Sequence, residues 1–343
     1  MPRIAHLIFA LLFVAPLGAH AQTKPATTPF NFTAPKVIGR ESGVRLEGTV
    51  QNPARITSPQ LSVVAPIIAF DRVNGTISQV RAEGGVSLKL NVAATGNGPK
   101  TYVEAKSDSA TLTTTNRTLQ LVGNLSGFYQ IGTNGKNTLS GDRANLSFAN
   151  GNLSADVQNP ILQIPAETIG RTDALGELQV SAQRGQVSQT NGTATFSGNA
   201  RVRSLSGPNA FDLTAPSFTV ARGADGTLST IETQGKTNVK YDLPPDAKVT
   251  TTNNAGEVGT PTHIEVTADV ATFDRATGKA TFKGNVRGFY RLQSATGPQN
   301  YAFSGDQTVI SYNPQAATTQ SGLKVEITGT PIPVSIDAPG FDF

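Results

Sequence analysis

The sequence predicts an all-β protein made of two facing antiparallel sheets that are extended hairpin by hairpin. Three observations carry this expectation. Gly 34 and Pro 21 are scattered along 343 residues, and the stretches between them are rich in Val, Thr, Ser, Ala, Ile and Phe, which suit pleated, half-buried surfaces. Apolar and polar residues alternate around turns, as from Thr272-Phe273-Asp274-Arg275 through Gly278 to Ala280-Thr281-Phe282, the pattern of two strands flanking a loop. Long parts of the chain also repeat, and because a lone hairpin cannot bury its apolar face, the repeats must stack. At roughly ten residues per strand and turn, the ordered part is expected to hold about 28 strands.

Residues 1–21 read as a secretory signal. Arg3 supplies the positive start, Leu7 to Val14 the apolar run, and Ala19-His20-Ala21 a small-x-small cleavage site before Gln22. The run is shorter than the ~20 residues of a membrane-spanning helix, and no second one follows, so the expected mature protein is exported and soluble. Residues 22–40, rich in Thr, Pro and Ala at their start, are expected to be a flexible leader.

A first copy of the repeat is placed at 41–155, a bridging segment at 156–180 and a second copy at 181–343. One gapless shift carries Asp108, Ala110, Leu112, Gly123, Asn124, Gly127, Phe128 and Tyr129 onto Asp269, Ala271, Phe273, Gly284, Asn285, Gly288, Phe289 and Tyr290. After a small insertion Ser140-Gly141-Asp142 matches Ser304-Gly305-Asp306, and a second shift carries Ala65-Pro66 onto Ala215-Pro216. A shorter unit begins again at Gly48, Gly84, Gly123, Gly198, Gly235 and Gly284. The pairs Gly123-Asn124, Gly198-Asn199 and Gly284-Asn285 are read as bulges or turns, since both residue types tolerate positive φ.

Composition removes several function classes. With 28 Lys+Arg, 24 Asp+Glu and a net charge of +4, and no basic cluster to track a phosphate backbone, nucleic acid is not an expected partner. No Cys is present, which excludes disulfides, thiolate metal sites and cysteine nucleophiles. Signal cleavage would leave His263 as the sole histidine, and it follows Pro261-Thr262 with no supporting carboxylate pattern. Asp269 with Asp274, and Asp142 with Asp306, are the remaining carboxylate pairs that a polysaccharide-cleaving site would use. Asp274, like Asp71, stands where Asp makes local turn hydrogen bonds. The expectation is a protein that is not an enzyme and takes no cofactor or metal. The terminal Phe343 is a feature of outer-membrane barrels, but Asp337-Ala338-Pro339-Gly340 breaks the strand such a barrel would need.

The unit running from Ala268-Asp269 through Phe273-Asp274-Arg275, Gly278, Ala280 and Phe282 to Gly284-Asn285-Val286 resembles the OstA-like family. That family includes the periplasmic lipopolysaccharide-transport protein LptA, its inner-membrane partner LptC and the N-terminal domain of LptD. The resemblance is clear at 264–290, good at 105–129 and 180–200, and weak at 40–100. It implies a β-jellyroll, or folded-over β-taco, here as tandemly duplicated OstA-like repeats, whose sheets enclose an apolar groove. It also implies a periplasmic place, free or associated with the outer membrane, and end-to-end pairing with itself or related jellyrolls. The implied ligand is lipopolysaccharide or another acylated envelope lipid.

Exposing one methylene to water costs about 0.8 kcal/mol, so a fourteen-carbon chain represents on the order of 10 kcal/mol and needs cover. Recurrent apolar positions read as inward and groove-lining are Leu112, Leu121, Phe128, Phe196, Phe211, Phe218, Phe273, Phe282, Phe289 and Phe303. Lys283, Arg287 and Arg291 are candidates for meeting acidic head groups. The competing expectation is an envelope scaffold whose core is filled by its own side chains.

Overall fold

The computed structural model describes residues 31–59, 61–74, 76–92, 101–131, 135–147, 154–165, 177–188, 191–206, 210–222, 228–242, 251–252, 258–274, 277, 279–294, 297–312, 323–328 and 335–337. Among them there are 25 strands and no helix. The signal segment lies outside the described residues.

The chain forms two compact units. Of the described residues, those up to 165 and those within Gln183–Ala194 make the first; those within Ile169–Ala182 and Thr195–Phe343 make the second. The first unit opens with β1 (Asn31–Thr33), β2 (Lys36–Arg40), β3 (Gly43–Glu47), β4 (Ala54–Thr57), β5 (Leu61–Ala65) and β6 (Ile67–Val73). Long strands follow: β7 (Thr76–Val92), β8 (Thr101–Thr113), β9 (Thr118–Ile131) and β10 (Asn137–Ser147), then β11 (Ser154–Gln158) and β12 (Ile161–Ile164). β13 (Leu178–Ser181) belongs to the second unit, β14 (Arg184–Ser188) returns to the first, and β15 (Thr193–Ser204) leads into the second. The second continues with β16 (Ala210–Arg222), β17 (Leu228–Gln234), β18 (Thr237–Asp242), β19 (Thr251–Thr252), β20 (Val258–Ala268), β21 (Val270–Asp274), β22 (Lys279–Ser294), β23 (Gly297–Tyr312), β24 (Leu323–Thr328) and β25 (Ser335–Asp337).

Asn31–Arg40, expected as leader, therefore contributes two strands: β1 pairs with β4 and β2 with β3. Part of the expected bridge is likewise strand, since β11 pairs with both β10 and β14.

Each long strand serves two layers. In the first unit, Ile67–Asp71 of β6 pairs with the start of β7, whereas β5 pairs with Ser87–Leu90 beyond Gly84-Gly85. The ladder between β7 and β8 shifts register between Glu83 and Val86, and the ladder between β8 and β9 shifts between Lys106 and Ser109. At these creases the backbone takes positive φ: 87° at Gly84, 79° at Gly123 and 45° at Asn124. Glycine visits that region freely, and asparagine does so more readily than other side chains. Gly84, Gly123, Gly198 and Gly284 thus lie inside β7, β9, β15 and β22 and bend them in mid-course, whereas Gly48 and Gly235 fall between strands as the spacing suggests.

Side-chain hydrogen bonds brace the crease. Asn124 donates Nδ2 to Asp108 Oδ2 at 2.9 Å, and Asn285 donates to Asp269 Oδ2 at 2.8 Å; these four residues correspond under the sequence shift. A Cβ on Gly84 would stand 3.1 Å from Pro66 Cγ, and one on Gly235 2.7 Å from Pro216 Cγ, again at corresponding positions. The two copies are creased in the same way.

Across the first unit the pairing lines up Leu46, Ile68, Ala82, Ala110, Leu121, Ala144 and Val157 in one row beside the crease. All seven are buried, in one cluster with Ala54 and Ile56 of the other layer. Phe32 of β1 meets Phe70 of β6 edge-on at 5.3 Å between ring centroids, so the two layers touch at that end.

A Gly284→Ala substitution forces a Cβ to 2.5 Å from Asp269 Oδ2 at φ +74 and should cost about 2 kcal/mol or more. Gly39→Ala, with nothing within 4 Å, should be neutral; urea unfolding midpoints compare them. Arg184 holds Asp156 below the usual carboxylate range by hydrogen bonding, through Nε to Oδ1 at 3.0 Å and a second bond from Nη2 to Oδ2. A depressed folded pKa stabilises above the unfolded value and is lost as pH falls through the folded one. Asp156→Asn at neutral pH, and acidification below about pH 4, should both speed amide exchange in β14 after correction for intrinsic rates.

Candidate functional site

The inner faces of the two layers form the candidate site, and in the first unit burial declines away from the crease. One row out on the β6 side, Val80, Leu112, Leu119 and Leu146 stand side by side and are half-buried. Facing layer residues Val63, Leu88, Ala105, Gly127 and Leu139 form the corresponding row and are also half-buried. Both rows are uncharged and mostly aliphatic. Contiguous apolar surface left partly open to water is uncommon on a monomer and marks interaction sites.

The second unit repeats the rows with different residues. Phe196, Phe218, Phe282 and Phe303 occupy the positions of Leu46, Ile68, Leu121 and Leu139, and all four rings are buried. Phe196 stacks on Phe218 at 5.0 Å, and Phe273 meets Phe282 edge-on at 6.0 Å. The row Leu213, Val239, Val266, Gly288 and Phe303 matches the open row of the first unit. Here Leu213, Val239, Val266 and Phe303 are buried. The opposite row, with Ile231, Phe273, Ala280 and Ile310, remains half-buried.

Eight of the ten expected inward residues lie on these inner faces: Leu112, Leu121, Phe196, Phe211, Phe218, Phe273, Phe282 and Phe303. Phe128 and Phe289 do not. Phe128 is paired with Glu104 and Thr138, and Phe289 with Glu265, on the outer face. The physical reason is that strict alternation runs on through the crease. Leu121, Leu125 and Gly127 share one face of β9, and Phe282, Val286 and Gly288 share one face of β22, so the next residue in each strand points out.

These two phenylalanines recur because an outer cluster recurs. Lys89 lies 3.3 Å from Glu104, with Tyr102 and Phe128 rings 5.6 Å apart; Lys240 lies 3.1 Å from Glu265, with His263 and Phe289 rings 5.1 Å apart. A hydrogen bond from the Tyr102 hydroxyl, then one from Lys89, holds Glu104 below the usual carboxylate range. Lys136 sits over Phe128, 4.4 Å from its centroid. Such cross-strand groupings stabilise a sheet locally.

The basic candidates Lys283, Arg287 and Arg291 are exposed on the outer face of β22, opposite its buried row. Arg291 donates Nε to Asn300 Oδ1 at 3.0 Å. His263 has Glu265, two residues along its own strand, 3.8 Å from Nε2, and Asp242 hydrogen-bonded to Nδ1. Strand pairing of β18 with β20 makes that meeting, which no local spacing signals. Asp269 and Asp142 accept crease bonds from Asn285 and Asn159, and Asp274 accepts from the Thr277 N–H at 3.2 Å. Among the described residues no group of three or more His, Cys, Asp or Glu stands together as a metal site requires.

A cavity of 410 Å³ in the first unit lies at the crease and not between the half-buried rows, with Val50, Pro53, Pro66, Lys106, Asp108 and Asn124 in its lining. Among the described residues, two buried side-chain polar atoms lack a partner, Asn137 Oδ1 and Thr308 Oγ1. Thr308 lies in the closed crease row, paired with Phe282. Asn137 lies farther out, paired with Tyr129 in the layer that carries the open row.

No known protein-family profile and no curated protein matches the chain. Among solved structures, the chain is similar to LptH from Pseudomonas aeruginosa, described as the LptA-homologous periplasmic component of the conserved lipopolysaccharide transport device. The identity is 13% and the TM-score 0.30, over 47% of this chain and 95% of that one.

The second unit's crease carries hydroxyls where the first has Ala82 and Val86. Thr237 Oγ1 donates to Thr233 Oγ1 at 2.7 Å, and Thr233 Oγ1 accepts the Ala271 N–H at 2.7 Å. Thr233→Val should cost about 1–3 kcal/mol by orphaning that buried N–H, whereas Thr308→Val, which removes an unpaired hydroxyl, should be neutral or stabilise by about 1 kcal/mol. Thermal and urea unfolding read both.

Proposed function

We propose that the protein is an exported, non-enzymatic carrier that shelters the acyl chains of an amphiphilic envelope lipid, most simply lipopolysaccharide, between the layers of a folded-over β-jellyroll. The observation that carries this reading is the pair of facing, half-buried aliphatic rows of the first unit, Val80-Leu112-Leu119-Leu146 and Val63-Leu88-Ala105-Gly127-Leu139. A layer pair that only filled itself would close over those rows, because each fully buried aliphatic side chain is worth about 1.5–3 kcal/mol. Leaving them open is costly unless a ligand covers them. An acyl chain supplies matching surface and asks for no charge or catalytic group within the groove. The periplasmic place and the support of outer-membrane assembly belong to the same reading.

The scaffold reading draws on the closed crease of both units and on the phenylalanines of the second. The two are separated by mass spectrometry of the full chain, purified from its envelope without detergent. Co-purifying acylated lipid is the expected outcome; protein free of lipid under those conditions overturns the carrier.

A further inference from the structure

The two copies are creased alike but filled differently, and we infer that acyl-chain binding belongs to the first unit alone, in a slot over Ala105 and Gly127 that Phe303 plugs in the second. This rests on the carrier reading above and assigns its site.

The decisive pair is Gly127 and Gly288. An added Cβ at Gly288 would stand 2.4 Å from Phe303 Cζ, so the phenylalanine ring covers that glycine. At Gly127 the nearest atoms to an added Cβ belong to the backbone of Glu104 and Ala105, and the paired residue is Leu139. In the first unit the floor of the slot is therefore a glycine beside an alanine, flanked in its row by Leu88 and Leu139, with Leu112 and Leu119 in the row of the other layer. Ala105 and Leu139 are half-buried, whereas Val266 and Phe303 in their places are 0% and 4% exposed; Gly127 and Gly288 are both half-buried. Large rings fill a gap between layers with the protein's own atoms, and small residues leave it for another molecule.

Asn137 narrows the occupant. It is 1% exposed and its Oδ1 has no hydrogen-bond partner among the described residues, while its Nδ2 makes a long contact of 3.5 Å to the Gly135 carbonyl. In the second unit the same position is Tyr301, which stacks on Tyr290 at 5.0 Å and fills the space with a ring. A buried acceptor left unpaired is destabilising, and here it stands in the layer that carries the slot. The occupant is accordingly an acyl chain whose polar end offers a hydrogen-bond donor, such as an amide N–H or a hydroxyl.

The test uses the full chain and a photoreactive palmitamide, with cross-linked peptides mapped by mass spectrometry. Cross-links are expected within residues 31–165 and absent from 195–312. Leu139→Phe, which installs the second unit's plug in the first, should cut labelling at least about tenfold, and Phe303→Leu should add labelling around Gly288. Labelling of the second unit in the unaltered protein, or labelling of the first that survives a folded Leu139→Phe, overturns the assignment and leaves the carrier reading standing. So does a Phe303→Leu protein that gains no label, a readout that holds if Leu139→Phe does not fold. No labelling of either unit overturns the carrier reading itself. Palmitamide should bind about three- to tenfold more tightly than methyl palmitate, the worth of one neutral hydrogen bond, and Asn137→Leu should erase the difference. Equal binding of the two probes to the unaltered protein overturns the role of Asn137.

Discussion

The fold depends on letting one hydrogen-bonded strand pass from one layer to the other without ending. At the crease one to three residues of each strand drop out of register, and the backbone must enter the left-handed region to resume pairing at a new angle. Gly123-Asn124, Gly198-Asn199 and Gly284-Asn285 supply that conformation, and Asp108 and Asp269 hold the asparagine amides. Because adjacent strands bend at neighbouring positions, the creases align across the sheet, and the two halves close on each other along a common line. The deepest burial follows that line, so the core is a seam with half-covered walls beyond it.

Much of this was legible in the sequence, for stated reasons. Period-two alternation and the scatter of Gly and Pro fixed strand identity. The Gly-Asn pairs announced positive φ. The sequence spacing was misleading where a glycine inside a strand resembles a glycine between strands; only the pairing distinguishes a crease from a turn. The inward set suffered from a related error. A motif such as Gly-Phe-Tyr draws the eye to its phenylalanine, but counting by twos from Leu121 or Phe282 passes over Phe128 and Phe289 and reaches Gly127 and Gly288. The meeting of His263 with Asp242 was illegible because it is made by strands, not by local order.

The carrier reading sets two requirements, and the two units answer them differently. A layer pair needs enough buried surface to hold its own shape, and a carrier needs surface withheld from that purpose. In the second unit Phe196, Phe218, Phe282 and Phe303 meet the first requirement fully. The aliphatic set Leu46, Ile68, Leu121 and Leu139 at the same positions in the first unit buries less and leaves its walls unfinished. The shared crease geometry shows that this difference lies in side-chain volume and not in backbone design.

The order in which the chain visits its units sets a rule for taking the molecule apart. β13 is read out before β14, yet β13 pairs within the second unit and β14 within the first, against β11. No single cut of the polypeptide can therefore release both halves whole. Ending the chain after β12 strips the first of its edge partner, and ending it after β14 leaves an orphaned β13 attached. The first unit is completed by β14, encoded beyond the second unit's β13, so synthesis from the ribosome must deliver about thirty residues beyond Gln158 before β11 meets that partner.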